Sequence, residues 1–304
     1  MDNLLLVFTS LLIGILLRRS PKSPRDTHEV LNRFVIYVSL PALVLVYIPA
    51  IEIDRTLLYP VLSAWLVLLI AIIIIPLLGK LAGWDRNTIG CLLLTAGFGN
   101  TAFVGFPVIE ALYGSEGLRI ALLVDQPGTF MALSTAGIVI ASIYSSGRTR
   151  KRVILRKVFL FPPFIMFLLA ICMNLGGVTF EGAILGTLEK LGATMAPLAL
   201  VSVGFQLKFR PDRELIAPMA GGLVVKLLIA PLILTTLYFG ILGGHSLSVK
   251  VSIMEAAMAP MVTGSIVATS YGLNPKLASY MIGIGIPISF ATLTVWYLIL
   301  ELLI

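Results

Sequence analysis

Long apolar stretches alternate with short polar breaks along the whole chain. Most stretches have roughly the 20 residues that a helix needs to cross the hydrocarbon core of a bilayer, and the first one is shorter. The pattern therefore predicts an all-α integral membrane protein with ten membrane-spanning helices, numbered here as spans 1 to 10. Their approximate bounds are 3–17, 30–48, 58–79, 88–112, 117–143, 159–175, 187–207, 215–240, 249–271 and 276–301.

Two of the predicted spans contain residues that break helices. Span 4 includes the stretch 95–107, with three glycines and a proline, and span 9 includes the stretch 255–265, with a proline and a glycine. Glycine loosens a helix, and proline removes a hydrogen-bond donor. In lipid, the backbone groups freed by a break must contact protein or a water-filled cavity. Corresponding breaks in two halves of a chain are typical of the substrate site of a secondary transporter.

The composition leaves little room for a soluble domain. Hydrophobic residues make up 58% of the chain and charged residues 12%, with a mean hydropathy of +1.02, whereas a soluble domain carries about 25% charged residues. Cys91 and Cys172 lie far apart in apolar stretches and match no disulfide framework or metal-binding spacing. No nucleotide-binding motif is present, so we expect no cofactor.

The positive charge is distributed unevenly over the loops. The net charge of +7 suggests nucleic acid as a partner only if this distribution is ignored. One set of alternate loops is rich in Lys and Arg: Arg18, Arg19, Lys22, Arg25, Arg33, Lys80, Arg86, Arg148, Arg150, Lys151, Arg152, Arg156, Lys157, Lys208, Arg210, Arg213 and Lys276. The opposite set contains only Arg55, Arg119, Lys190 and Lys250. The positive-inside rule places the rich set in the cytoplasm, with both termini outside a cell membrane. The basic run between spans 5 and 6 is expected to contact anionic lipid of the bilayer.

The two halves of the chain resemble each other. The Tyr-Gly pair at 113–114 matches the pair at 271–272, Pro41 matches Pro197, and broken span 4 matches broken span 9. Five spans in each copy is an odd number, so the second copy is inverted in the membrane. The predicted 5+5 inverted repeat has a first copy, a basic linker and a second copy at residues 1–143, 144–158 and 159–304.

Several motifs are similar to those of the auxin efflux carrier family of transporters. They are Gly-Asn-Thr-Ala-Phe-Val-Gly-Phe-Pro at 99–107, Ser-Leu-Pro-Ala-Leu at 39–43, Ala-Pro-Leu-Ala-Leu-Val-Ser-Val-Gly at 196–204 and Glu-Ala-Ala-Met-Ala-Pro at 255–260. The chain resembles compact prokaryotic members, which include organic-acid permeases, because it lacks the long central loop of plant members. Auxin as a substrate is therefore not implied.

The resemblance also implies an architecture. A scaffold domain of helices 1, 2, 6 and 7 would support a transport domain of helices 3–5 and 8–10, in which helices 4 and 9 cross at their unwound middles. The transport domain would move against the scaffold in an elevator mechanism, and the scaffold would form a homodimer. The related bile acid:sodium symporter family has a glutamate and an asparagine at a sodium site near the crossing. Glu255 and Asn100 stand where such residues are expected, which implies sodium there.

Polar and flexible residues at the two breaks are the predicted substrate contacts. Asn100 offers two donors and an acceptor, although it could instead cap a half-helix. The N-terminal ends of half-helices carry roughly +0.5 charge each and favour an anion. Met261 could bind substrate or pack against its neighbours. The predicted substrate-binding residues are Gly99, Asn100, Thr101, Pro260, Met261, Thr263, Gly264 and Ser265.

Ionisable residues within spans indicate ion coupling. A charge at the bilayer centre costs about 2.5–3.5 kcal/mol on insertion scales, so an acid retained there is usually functional. Asn100, Asp125 and Glu255 are the predicted ion-coupling residues. Burial favours a neutral carboxyl and proton coupling, whereas bound sodium favours the ionised form, and the sequence leaves both open. Lys226, near the middle of span 8, is predicted to pair with an acid or attract the anion, the alternative being a side chain that extends to the membrane interface.

Together these features predict a secondary active transporter of a small organic anion, a carboxylate, coupled to sodium or protons. The alternatives are an uncoupled carrier and an anion channel. We do not expect an enzyme. Ser265 lacks a base because both histidines, His28 and His245, fall in predicted loops.

Overall fold

The computed structural model describes residues 2–24, 26–52, 55–145, 162–207 and 212–303, and these residues form helices and short connections. The helices, numbered α1 to α11, are Asp2–Arg19, Thr27–Ala50, Leu58–Ala82, Arg86–Ala96, Thr101–Tyr144, Pro162–Leu175, Gly182–Gln206, Arg213–Ile241, Leu247–Ala256, Val262–Ser270 and Pro275–Leu303. Within these ranges there is no strand, which confirms the all-α prediction, and the one isolated β-bridge joins Gly99 to Pro260. The predicted linker lies outside the described residues from position 146 onward.

Six of the described helices are long and apolar enough to cross a membrane, namely α2, α3, α5, α7, α8 and α11. The sequence predicted ten spans. Helices α4, α9 and α10 are short because α4 and α9 end at the two breaks and α10 begins at the second one. Helix α6 has 14 residues, and α1 has 18 but includes Asp2, Arg18 and Arg19. Helix α5 is kinked at Gly114, whose φ of 65° is one that glycine adopts without strain.

The described chain forms two compact units. Unit 1 contains α1, α2, α6 and α7 together with residues 102–122. Unit 2 contains α3, α4 and α8 to α11, together with Thr101 and residues 123–145. The boundary therefore falls twice within α5, and both broken segments contribute residues to unit 2.

Close backbone approach of α1 and α7 is the main packing feature of unit 1. A Cβ atom at Gly14 would lie 2.2 Å from the carbonyl oxygen of Val201, and one at Gly204 would lie 2.3 Å from that of Leu11. Small residues allow such approach between helices in membranes, where van der Waals packing drives association. These two glycines therefore hold the helices at a distance that larger residues would not permit.

Polar contacts at helix ends also stabilise unit 1. The Asn174 side chain donates hydrogen bonds to the carbonyls of Ile48, Pro49 and Ile51, where α2 ends. These carbonyls lie at a helix terminus, where the helix itself supplies no amide donor.

The prediction that His28 lies in a loop was wrong, since His28 belongs to α2.

In unit 2, two tryptophan side chains donate hydrogen bonds to backbone carbonyls of neighbouring helices. Pro231 has no amide hydrogen, so the carbonyl of Leu227 lacks its helical donor. The indole nitrogen of Trp296 on α11 donates to this carbonyl at 2.9 Å. The indole nitrogen of Trp65 on α3 donates to the carbonyl of Pro127 itself, within α5, at 3.2 Å. The first contact joins α11 to α8, and the second joins α3 to α5.

We expect Gly204→Ala to lower the free energy of unfolding by about 1–3 kcal/mol, because overpacking forces backbone shifts. Thermal unfolding of the purified protein in detergent measures the effect. The control is Gly186→Ala on α7, where a Cβ would meet nothing within 4 Å. This control should be neutral or slightly stabilising, since alanine favours helix over glycine. Equal melting temperatures for the two variants would contradict the close packing of α1 on α7.

Candidate functional site

The breaks before α5 and before α10 lie against each other within unit 2. The amide of Asn100 donates to the carbonyl of Ala259 at 2.8 Å, and the amide of Met261 donates to the carbonyl of Thr95 at 3.3 Å. Helix α4 ends at Ala96, so the carbonyl of Thr95 has no amide donor from a continuing helix. Each break thus supplies hydrogen-bond partners to the other, which removes the cost of unpaired backbone in a membrane.

Glycine makes this close contact possible. A Cβ at Gly264 would lie 2.0 Å from the carbonyl oxygen of Leu94, so α10 packs directly on the backbone of α4. A Cβ at Gly99 would lie 3.1 Å from the carbonyl oxygen of Glu255 and 3.2 Å from Nζ of Lys226. Gly264 therefore serves helix packing, whereas Gly99 keeps space beside a buried ammonium group.

Four helix ends belong to the paired breaks. Helices α4 and α9 end there, and α5 and α10 begin there. Helix N-termini carry partial positive charge and C-termini partial negative charge. The site therefore offers anions and cations separate places to bind.

A small cavity of about 10 Å³ lies beside the breaks in unit 2. Gly99, Thr101, Lys226 and Glu255, all predicted site residues, contribute to its lining. A volume of roughly 10–15 Å³ is what one water molecule needs. The cavity therefore has room for a water-sized occupant.

Asp125 is buried, and each of its carboxyl oxygens accepts a hydrogen bond. Its Oδ1 accepts from the Thr101 hydroxyl at 2.5 Å, and its Oδ2 accepts from Nε2 of Gln126 at 2.7 Å. Asp125 and Gln126 lie on the π-helical turn Val124–Phe130, and Thr101 begins another, Thr101–Gly105. Such turns are frequent at functional sites. Sequence reasoning missed Gln126, although the run Asp-Gln-Pro-Gly within an apolar span was a usable signal.

Lys226 and Glu255 are both buried, but they differ in their hydrogen-bond partners. Lys226 is 0% exposed and its Nζ donates to the carbonyl of Ala256 at 2.6 Å. Glu255 is 1% exposed, and within the described part of the chain neither carboxyl oxygen has a hydrogen-bond partner. The same holds for Nδ2 of Asn100, which is also buried. Buried polar atoms without partners are rare in native proteins, so these indicate a place for a ligand, ion or water.

The predicted site residues thus fall into three groups. Gly99, Asn100, Thr101, Asp125, Lys226 and Glu255 come together in unit 2. Pro260, Met261 and Gly264 are buried where the breaks pair, and Met261 belongs to the hydrophobic core. Thr263 is exposed and Ser265 half-buried, and neither lines the cavity.

Apolar helices with paired breaks beside buried ionisable side chains are typical of membrane transport proteins. The chain belongs to the membrane transport protein family, whose model matches residues 1–297. This is the auxin efflux carrier family, so the predicted family is confirmed, as is the prediction that the protein is not an enzyme. A multi-pass membrane protein follows from the family and the apolar helices.

Two archaeal proteins are similar to this chain over nearly its whole length. An uncharacterized transporter of Methanothermobacter thermautotrophicus is 30% identical, with 98% of each chain covered. An uncharacterized transporter of Methanocaldococcus jannaschii is 26% identical, with 97% of each chain covered. Transport as the broad function therefore rests on the family and on both relatives.

We expect Thr101→Val to lower the free energy of unfolding by about 1–3 kcal/mol, because Asp125 loses a buried donor. The control is Thr95→Val. The Thr95 hydroxyl is equally buried but donates to the carbonyl of Cys91 one turn earlier, a contact that helices do not require. Thermal unfolding in lipid nanodiscs compares the two variants. A control variant as unstable as Thr101→Val would show that the contact with Asp125 contributes nothing.

Proposed function

We propose that the protein is a secondary active transporter of a small organic anion, a carboxylate, coupled to sodium or protons. This proposal rests on the buried pairing of two helix breaks beside Lys226 and on the side-chain Nδ2 of Asn100, which has no hydrogen-bond partner among the described residues. An ammonium group, an amide donor and helix N-termini each favour a carboxylate. The apolar surroundings strengthen these interactions because water does not screen them.

Alternating access is the mechanism that the cavity size supports. A volume of about 10 Å³ has no room for an organic anion. Substrate binding therefore requires the helices around the breaks to separate. We propose that the polar site moves as part of a transport domain made of spans 3–5 and 8–10, against a scaffold made of spans 1, 2, 6 and 7. Each charged residue of the site lies in unit 2, which supports a site carried as one body.

We further propose a ten-span arrangement of two inverted five-helix repeats. In this arrangement α4 and the part of α5 before Gly114 form span 4, and α9 with α10 forms span 9. The two spans cross where Gly99 faces Pro260. Inverted repeats with discontinuous helices at the midplane are a known architecture for secondary transport.

Glu255 is the proposed coupling acid, with Asp125 and Asn100 beside it. The unpartnered oxygens of Glu255 leave it able to take up a proton or contact a cation. Asp125 already accepts two hydrogen bonds, which suits a permanent negative charge. Membrane acids that face a protein interior commonly form proton relays or ion sites.

The proposed setting is the cell membrane, with both termini outside and a homodimer formed through the scaffold. Lys and Arg cluster in alternate loops, which supports this orientation. The lipid bilayer is the remaining partner, and neither a nucleic acid nor a cofactor is required.

Asn100→Ala should reduce uptake about tenfold or more, because a hydrogen bond to a charged group contributes about 1.5–3 kcal/mol. The measurement is uptake of a panel of radiolabelled small carboxylates into proteoliposomes, with and without sodium or proton gradients. Asn87→Ala, at an exposed position on α4, is the control and should transport normally.

Failure of every carboxylate under every gradient would reject this function. Unchanged uptake by Asn100→Ala would reject its place in the site. Uptake that no gradient alters would favour an uncoupled carrier, and large single-channel currents would favour an anion channel.

Orientation can be tested by thiol labelling at opposite ends of α11. We expect an impermeant maleimide to label Glu301→Cys in intact cells, and Lys276→Cys only after permeabilisation, since Lys276 belongs to the positive side. Cys172 is exposed and is first replaced by serine, whereas Cys91 is buried. The opposite labelling pattern would place the C-terminus in the cytoplasm and contradict the proposed orientation.

A further inference from the structure

The Lys226 ammonium group lies at the C-terminal end of a broken helix. Lys226 is on the π-helical turn Val225–Ile229 of α8, and its Nζ donates to the carbonyl of Ala256 at 2.6 Å. Ala256 is the last residue of α9. This carbonyl belongs to the last turn, where the helix supplies no further amide donor. The lysine therefore contacts the negative end of the α9 dipole.

This is the kind of place where secondary transporters bind a metal cation. In discontinuous helices, the carbonyls of unwound backbone and of half-helix C-termini coordinate sodium. The carboxyl group of Glu255 adjoins the same carbonyl along the chain and lines the same cavity as Lys226. Carboxylates and carbonyls are the ligands that hard cations prefer. The residues thus build a cation site, and a side-chain ammonium group already lies within it.

A sodium ion at Glu255 and Asn100 does not suit the residues present. Lys226 holds a cation against the Ala256 carbonyl, and Lys226 and Glu255 share a cavity with room for about one water molecule. The buried atom of Asn100 without a partner is Nδ2, a donor that cannot ligate a cation. Two cations this close in apolar surroundings repel each other strongly.

We propose that the Lys226 ammonium group is a tethered cation that takes the place of a coupling sodium ion. This inference rests on the proposed transport function and narrows it. The lysine balances buried negative charge at the site, which would otherwise require a metal ion. Substrate binding and transport then proceed without sodium, and coupling, where present, uses protons.

A purely structural role for Lys226 makes a different prediction. If the lysine only caps α9, its removal destabilises the protein equally in sodium and in other salts. If it replaces a cation, removing its whole side chain leaves space and negative charge that sodium can occupy. The two roles therefore differ in whether sodium binds the variant.

The test is binding of radioactive sodium to purified full-length protein in detergent, measured by scintillation proximity. Wild type should show no saturable binding. Lys226→Ala should gain saturable binding, and Lys226→Ala combined with Glu255→Gln should lose it. Lys226→Met removes the charge but fills the space, so it should not gain binding. Lys250→Ala, a lysine on α9 paired with Glu301 at 3.0 Å, is the matched control and should remain without binding.

Saturable binding by wild type that Glu255→Gln abolishes would overturn the inference, as would no gain by folded Lys226→Ala. If Lys226→Ala does not fold, the wild-type protein provides the test. No saturable sodium binding, together with equal melting temperatures of the wild-type protein in sodium chloride and in choline chloride, supports the inference. A higher melting temperature in sodium chloride contradicts it. No substrate enters these measurements, so failure of the carboxylate uptake assay would reject the transport proposal and leave the sodium result to be judged separately.

Discussion

Where a membrane helix breaks, its free backbone amides and carbonyls find no water in the hydrocarbon core. The site depends on the hydrogen-bond partners that this chain provides for them. The two breaks hydrogen-bond to each other: the amide of Asn100 donates to the carbonyl of Ala259, and the amide of Met261 donates to the carbonyl of Thr95. Glycine at positions 99 and 264 allows the backbones to come this close. Once paired, the breaks place helix ends, a cavity and buried side chains together in unit 2.

The buried charges follow from this arrangement. A lysine without exposure to water is costly unless hydrogen-bonded and near negative charge. Lys226 has a helix C-terminal carbonyl as its acceptor, while Asp125 has a hydroxyl and an amide as donors. Glu255 has neither kind of partner among the described residues. The contrast assigns a fixed role to Asp125 and Lys226 and leaves Glu255 as the group free to respond to a proton or a ligand.

Many residues of this candidate site could be predicted from the sequence because the signals were local. Helix-breaking residues within apolar stretches revealed both breaks, and an ionisable residue in a span identified Asp125, Lys226 and Glu255. The sequence could not predict the contacts, because a hydrogen bond such as that from Lys226 to Ala256 joins segments far apart in the chain. The sequence also predicts Thr263 and Ser265, which follow Pro260, as substrate contacts, yet on α10 neither side chain lines the cavity. The predicted count of ten spans exceeds the six described helices that are long and apolar enough to cross a membrane. Breaks divide spans 4 and 9 into shorter pieces, whereas α6 has only 14 residues and α1 carries three charged residues.

An experimental density map of the protein in lipid, with a transported carboxylate bound, would locate the substrate directly. We expect density for the anion between Asn100 and Lys226, beside the N-terminal ends of α5 and α10, with the Lys226 side chain in the position where sodium would otherwise bind. Anion density remote from the two breaks, or a metal ion coordinated by Glu255 beside the Ala256 carbonyl, would contradict this expectation.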